Sequence, residues 1–102
     1  MRELSEAELD ALINEATVDC YSEDEQVTGF AVMIGDNLAV PFETTVLGVT
    51  VTVEKVDETG SGIVAICVRS KHRQAIPILD LPLPDPPPRG AEWIAAYGRW
   101  AG

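Results

Sequence analysis

Val49, Val51 and Val53 alternate with Thr50, Thr52 and Glu54, and this two-residue period constrains the fold more than any other feature of the chain. Successive side chains of an extended strand point to opposite faces, so the segment predicts a half-buried strand. The flanking sequence extends the pattern. Thr59-Gly60-Ser61-Gly62 is a turn sequence, Ile63 to Val68 reads as the next strand, and Lys71-His72-Arg73 leads into Ala75-Ile76-Pro77-Ile78. Upstream, Phe30-Ala31-Val32-Met33-Ile34 and Leu38-Ala39-Val40-Pro41-Phe42 flank Gly35-Asp36-Asn37, which is a hairpin signal. The segments 39–42 and 75–78 resemble each other without forming a repeat. Proline has no N–H to donate, so Pro41 and Pro77 belong at sheet edges or beside bulges. The expectation over residues 29–80 is about five short strands, in a small bent antiparallel sheet or a Src-homology-3-like barrel.

Helices are expected at both ends, which makes the fold class α+β. Ser5 and Glu8 have the spacing of a capping box, Leu4 can staple onto Leu9, and Glu6 and Glu8 complement the helix dipole. Leu9, Leu12, Ile13 and Ala16 then share one face, so a helix is predicted over residues 6–17. An acidic loop is predicted over 18–28. Residues 81–90 are proline-rich and extended, and they read either as a ligand for a proline-binding domain or as a stiff strap. The strap is preferred in so short a chain. It leads to a C-terminal helix over 91–100, where Trp93, Ala96, Tyr97 and Trp100 share a face suited to covering the core. Gly98 weakens the end of that helix. With 102 residues there is room for one core, so residues 1–102 are expected to form a single domain.

Charge narrows the function. The net charge is −10, and nine of the seventeen acidic residues lie in the first thirty positions, where Arg2 is the one cation. Nucleic acid is a poor partner for such a chain, because phosphate binding needs a basic patch. Lys71-His72-Arg73, with Arg69 nearby, is the one positive cluster, and it suits a charged hairpin end better than a phosphate contact. No apolar run is long enough to span a membrane and no signal pattern opens the chain, so a cytoplasmic location is expected. Cys67 lies in an apolar strand, and Cys20 lacks the spacing of a zinc ligand.

Catalysis finds little support in the residues. His72 is the lone histidine and stands between two cations, with no nucleophile or orienting carboxylate paired to it by spacing. Metal binding has more. Neither Asp19 to Glu25 nor Asp36 to Glu43 has the spacing of an EF-hand loop. Calcium also accepts carboxylates, carbonyls and water in flexible geometry, whereas magnesium demands a tight octahedron. Asp36 at the expected hairpin tip and the Glu23-Asp24-Glu25 run are candidate ligands, with the carbonyls of Gly35 or Asn37 as neutral ones.

The stretch Val18-Asp19-Cys20-Tyr21-Ser22-Glu23-Asp24-Glu25-Gln26, then Gly29-Phe30, then Gly35-Asp36-Asn37-Leu38-Ala39-Val40-Pro41-Phe42, resembles the cyanobacterial-type, non-EF-hand calcium-binding protein family. The likeness covers residues 5–45 well and the second half in outline. It implies a small bacterial calcium buffer or sensor with a Src-homology-3-like barrel. Asp19, Glu23, Glu25, Gln26, Asp36, Pro41 and Phe42 are the matched positions, and the resemblance makes Asp36 the first choice as a metal ligand. Asp19 has an equal claim to a local hydrogen bond at the turn. The alternative function is a metal-free acidic module that docks a protein partner.

Overall fold

In the computed structural model, residues 4–102 are described, and residues 1–3, including Arg2, lie outside that description. The architecture is α+β. Three helices, α1 (Glu6–Thr17), α2 (Glu23–Asn37) and α3 (Ala91–Ala101), accompany the strands β1 (Phe42–Val46), β2 (Val49–Thr59), β3 (Gly62–Arg69) and β4 (His72–Pro77). The strands form an open antiparallel meander in the order β1-β2-β3-β4.

The first helix forms where its capping box is written. The Glu8 N–H donates to Ser5 Oγ at 3.1 Å and the Ser5 N–H donates back to Glu8 Oε1 at 3.2 Å, which satisfies two of the free amides of the first turn. The second helix corrects two expectations. The acidic loop over 18–28 is in large part its first turns, and the strand and hairpin expected over residues 30–37 are its remainder. Among the described residues, four strands therefore stand where five were expected.

The physical reason is local. Ser22 accepts from the Glu25 N–H at 3.1 Å, and Glu23, Asp24 and Glu25 sit at the positive end of the helix dipole. Val27, Phe30, Ala31, Ile34 and Leu38 recur at helical spacing, and Phe30 and Ile34 are fully buried. Gly35-Asp36-Asn37 is the last turn, closed by the Leu38 N–H donating to the Ile34 carbonyl at 2.8 Å. Asn37 Nδ2 also donates to the Met33 carbonyl at 2.7 Å.

The sheet keeps its apolar residues in phase through one irregularity. Val53 pairs with both Phe42 and Cys67, and the register then shifts between Val53 and Lys55. An extra residue inserted there reverses the alternation, so that Val56, rather than Lys55, joins Val53 on the inner face. The prolines lie at sheet edges. Pro41, joined to Val40 by a cis peptide bond, precedes β1, and Pro77 ends β4.

Helices α2 and α3 cover part of the inner face. Phe30 packs against Tyr97 and Trp100 with ring centroids 5.4 and 5.3 Å apart, the separation of aromatic pairs that add to burial. Trp100 Nε1 donates to Gln26 Oε1 at 2.9 Å, which satisfies the indole N–H. The proline-rich segment is a strap. The Thr44 hydroxyl donates to the Pro82 carbonyl, and the Ala39 N–H donates to the Arg89 carbonyl at 2.8 Å. At its end Gly90 has φ +92, and a Cβ there would lie 2.2 Å from the Asn37 carbonyl oxygen. Only glycine lets α3 start so close to the end of α2.

Candidate functional site

The acidic segment is a hydrogen-bonded corner between α1 and α2. Asp19 takes the left-handed conformation at φ +60, which aspartate tolerates better than most residues, and the next N–H, from Cys20, donates to the Thr17 carbonyl at 3.0 Å. Glu25 accepts from the Tyr21 N–H at 3.0 Å, so this carboxylate holds the corner together. Glu23 and Asp24 face solvent. Tyr21, between these carboxylates, is 88% exposed.

The structure does not gather all the candidate ligands in one place. Asp36 lies in the last turn of α2, and at 1.5 Å per residue it is roughly 20 Å along the axis from Glu23. Among the described residues, no three Asp, Glu, His or Cys side chains converge as a metal cage. Asp36 is on a helix surface rather than at a hairpin tip, because the turn that would have presented it does not form.

The fold makes a different juxtaposition. Asp24 on α2 and Glu58 near the end of β2 line one cleft of about 400 Å³, with Thr28, Thr59, Ser61 and Tyr97. The Thr28 hydroxyl donates to Glu58 Oε2 at 2.8 Å, which holds the carboxylate toward α2. The adjoining turn is ordered as well. The Ser61 N–H donates to Thr59 Oγ1 at 3.2 Å, and that hydroxyl donates to the Gly62 carbonyl at 3.3 Å. Asp24 also faces a second hollow of about 360 Å³, with Glu23, Gln26, Val27, Trp100 and Ala101. One carboxylate thus borders two adjacent polar depressions.

The ion pairs of the described residues fall on other carboxylates. Arg99 meets Asp10 at 2.9 Å and Glu6 at 3.8 Å, and Arg73 meets Glu54 at 2.7 Å. The hydrogen bond and charge of Asp10 raise the Arg99 pKa further above its ordinary value, so the arginine ties α3 to α1 as a permanent cation. Among the described residues, no ion pair falls on Asp24 or Glu58. The cleft's side chains offer carboxylate and hydroxyl oxygens, without imidazole or thiolate, and that chemistry suits a hard cation rather than zinc.

Sequence reasoning singled out Asp24 but not Glu58 or Thr28. Glu58 is one of an acidic pair just before a glycine turn, a weak signal that acquires meaning only when α2 lies across that turn. Compared with known proteins, the chain matches no family model, no curated protein and no solved structure.

Proposed function

We propose that this protein binds calcium at a shallow surface site and serves in the cytoplasm as a calcium buffer or sensor, without catalytic activity of its own. The observation that carries the proposal is that Asp24 and Glu58, from two separate elements, line one cleft together with the hydroxyl-bearing Thr28, Thr59, Ser61 and Tyr97. The resemblance of residues 18–42 to a non-EF-hand calcium-binding family supports the same reading. Two carboxylates supplemented by hydroxyls, carbonyls and several waters make a weak site, with a dissociation constant of about 10⁻⁵ to 10⁻³ M. Glu23 and Asp19 contribute field from the rim, Glu25 holds the corner, and Asp36 stands apart as a separate, weaker position.

Titration calorimetry on chelator-treated protein tests this directly, and Trp100, beside Asp24, provides an optical reporter. At a free calcium concentration of about 100 times the dissociation constant, the folded state gains roughly 2.7 kcal/mol. Asp24→Asn and Glu58→Gln should each abolish most of that gain, while Asp36→Asn should retain it. No binding heat and no calcium-dependent rise in Tm would refute the proposal. The second reading, an acidic interaction module, is favoured by the exposed Tyr21 within the acidic segment, a side chain common at protein contacts. Capture of a basic partner that chelator leaves unchanged, and that Tyr21→Ala abolishes, would establish that reading.

A further inference from the structure

The inner face of the sheet is longer than the helices that cover it. At the end where β1 turns into β2 and β3 into β4, an open trough of about 310 Å³ is lined by Val46, Leu47, Val51 and Ile76, with Arg69 and His72 at its rim. It lies at the opposite end of the sheet from the Thr59–Gly62 turn and the Asp24–Glu58 cleft, so it does not depend on metal binding.

Leu47 has no structural reason to be where it is. Val46 pairs with Val49, so Leu47 and Gly48 are a two-residue turn, and both have positive φ, +51 and +78. This is the type I′ geometry, which favours asparagine, aspartate or glycine at its first position. A leucine there carries backbone strain, and at 98% exposure it leaves its apolar surface in water. Neither cost helps the chain fold. Strain and exposure at one residue, at the mouth of an apolar trough, mark a contact surface.

The rim charge identifies the occupant. Arg69 and His72 border the trough, and Lys71 stands in the turn between them, in a chain with only seven Lys and Arg residues and a net charge of −10. Arg73 pairs with Val68 on the other face of the sheet, where Glu54 holds it at 2.7 Å. A symmetric pair of this chain would set one basic rim against the other, and a nucleic acid would leave the apolar floor without a partner. We infer that this end of the sheet docks an acidic amphipathic segment of another protein, its apolar side chains over Val46, Leu47, Val51 and Ile76 and its carboxylates against Arg69 and Lys71 of the adjoining turn.

Fluorescence anisotropy of the full chain with a short labelled peptide of leucines and glutamates tests this, with lysine in place of glutamate as the control. The acidic peptide should bind at least about tenfold more tightly than the lysine peptide, and more weakly as salt rises. Leu47→Asn suits the turn and keeps the fold, and it should weaken binding about tenfold. Arg69→Glu should shift preference toward the lysine peptide. Equal binding of the two peptides, or no effect of Leu47→Asn on a protein with unchanged circular dichroism, would overturn the inference. Leu47-dependent binding to anionic phosphatidylserine vesicles without peptide binding would also overturn it, as would Leu47-dependent self-association in sedimentation.

Discussion

Gly29 and Gly35 lie in the same helix, and alanine at the two positions should have opposite effects. Alanine is favoured over glycine in a helix interior by about 0.8–1.0 kcal/mol. At Gly35 a Cβ meets nothing within 4 Å, so Gly35→Ala should stabilise by about 0.5–1 kcal/mol, somewhat reduced by its place near the helix end. At Gly29 the new Cβ would lie 2.1 Å from the Ala16 carbonyl oxygen, in the backbone of α1. That is roughly 1 Å inside ordinary contact, and backbone cannot swing aside as a flexible side chain does. Overpacking of this kind costs about 1–3 kcal/mol and exceeds the propensity gain, so Gly29→Ala should destabilise on balance. Urea unfolding followed by circular dichroism and tryptophan fluorescence measures both changes against a total of about 5–15 kcal/mol. Loss of stability in Gly35→Ala would mean that residues 35–37 form the hairpin turn their composition suggests, and a stabilised Gly29→Ala would mean that α1 and α2 do not approach as described.

Three further outcomes are expected. Ser22→Ala removes the cap of α2 and should cost about 1 kcal/mol in the same assay, with Ser22→Asp restoring most of it. Phe30→Ala empties a fully buried site against Tyr97 and Trp100 and should cost about 3–5 kcal/mol, enough to leave a large unfolded fraction at 37 °C. Burial pushes the Cys67 thiol pKa up, so its stabilising protonated state is fully present below the unfolded thiol value of about 8.5 and is lost as pH rises toward the higher folded value. The stability of the wild type relative to Cys67→Ala should therefore fall above about pH 8.5, and a thiol reagent at neutral pH should label Cys20 well before Cys67.

The elements that could be read directly are those whose signals are local. Ser5 and Glu8 cap α1 within one turn, and the predicted span 6–17 is the span observed. The Thr59–Gly62 turn, the strands on either side of it and the aromatic face of the last helix also stand where expected, with α3 running from Ala91 to Ala101. The missed helix had its own start signal, Ser22 followed by Glu25, and apolar positions at helical spacing from Val27 to Leu38. Against it stood the five consecutive apolar residues Phe30 to Ile34, which fit a buried strand equally well, and Gly35-Asp36-Asn37, which fits a turn. Packing against Tyr97, Trp100 and the inner face of the sheet favours the helix, and that burial arises from residues far along the chain.

The site divides in the same way. Acidity near the N-terminus and the lack of zinc-type ligand spacing are properties of the residues themselves, and the sequence alone determined them. Which carboxylates share a cleft was decided by tertiary structure. The α2 helix carries Asp36 away from the acidic corner and places Asp24 on the same cleft as Glu58, because a helix fixes distance along its axis while packing chooses what lies across from it. The uncovered end of the sheet has the same origin. Alternation in β2 shows that one face is apolar, but how much of that face remains open depends on where α2 and α3 come to rest.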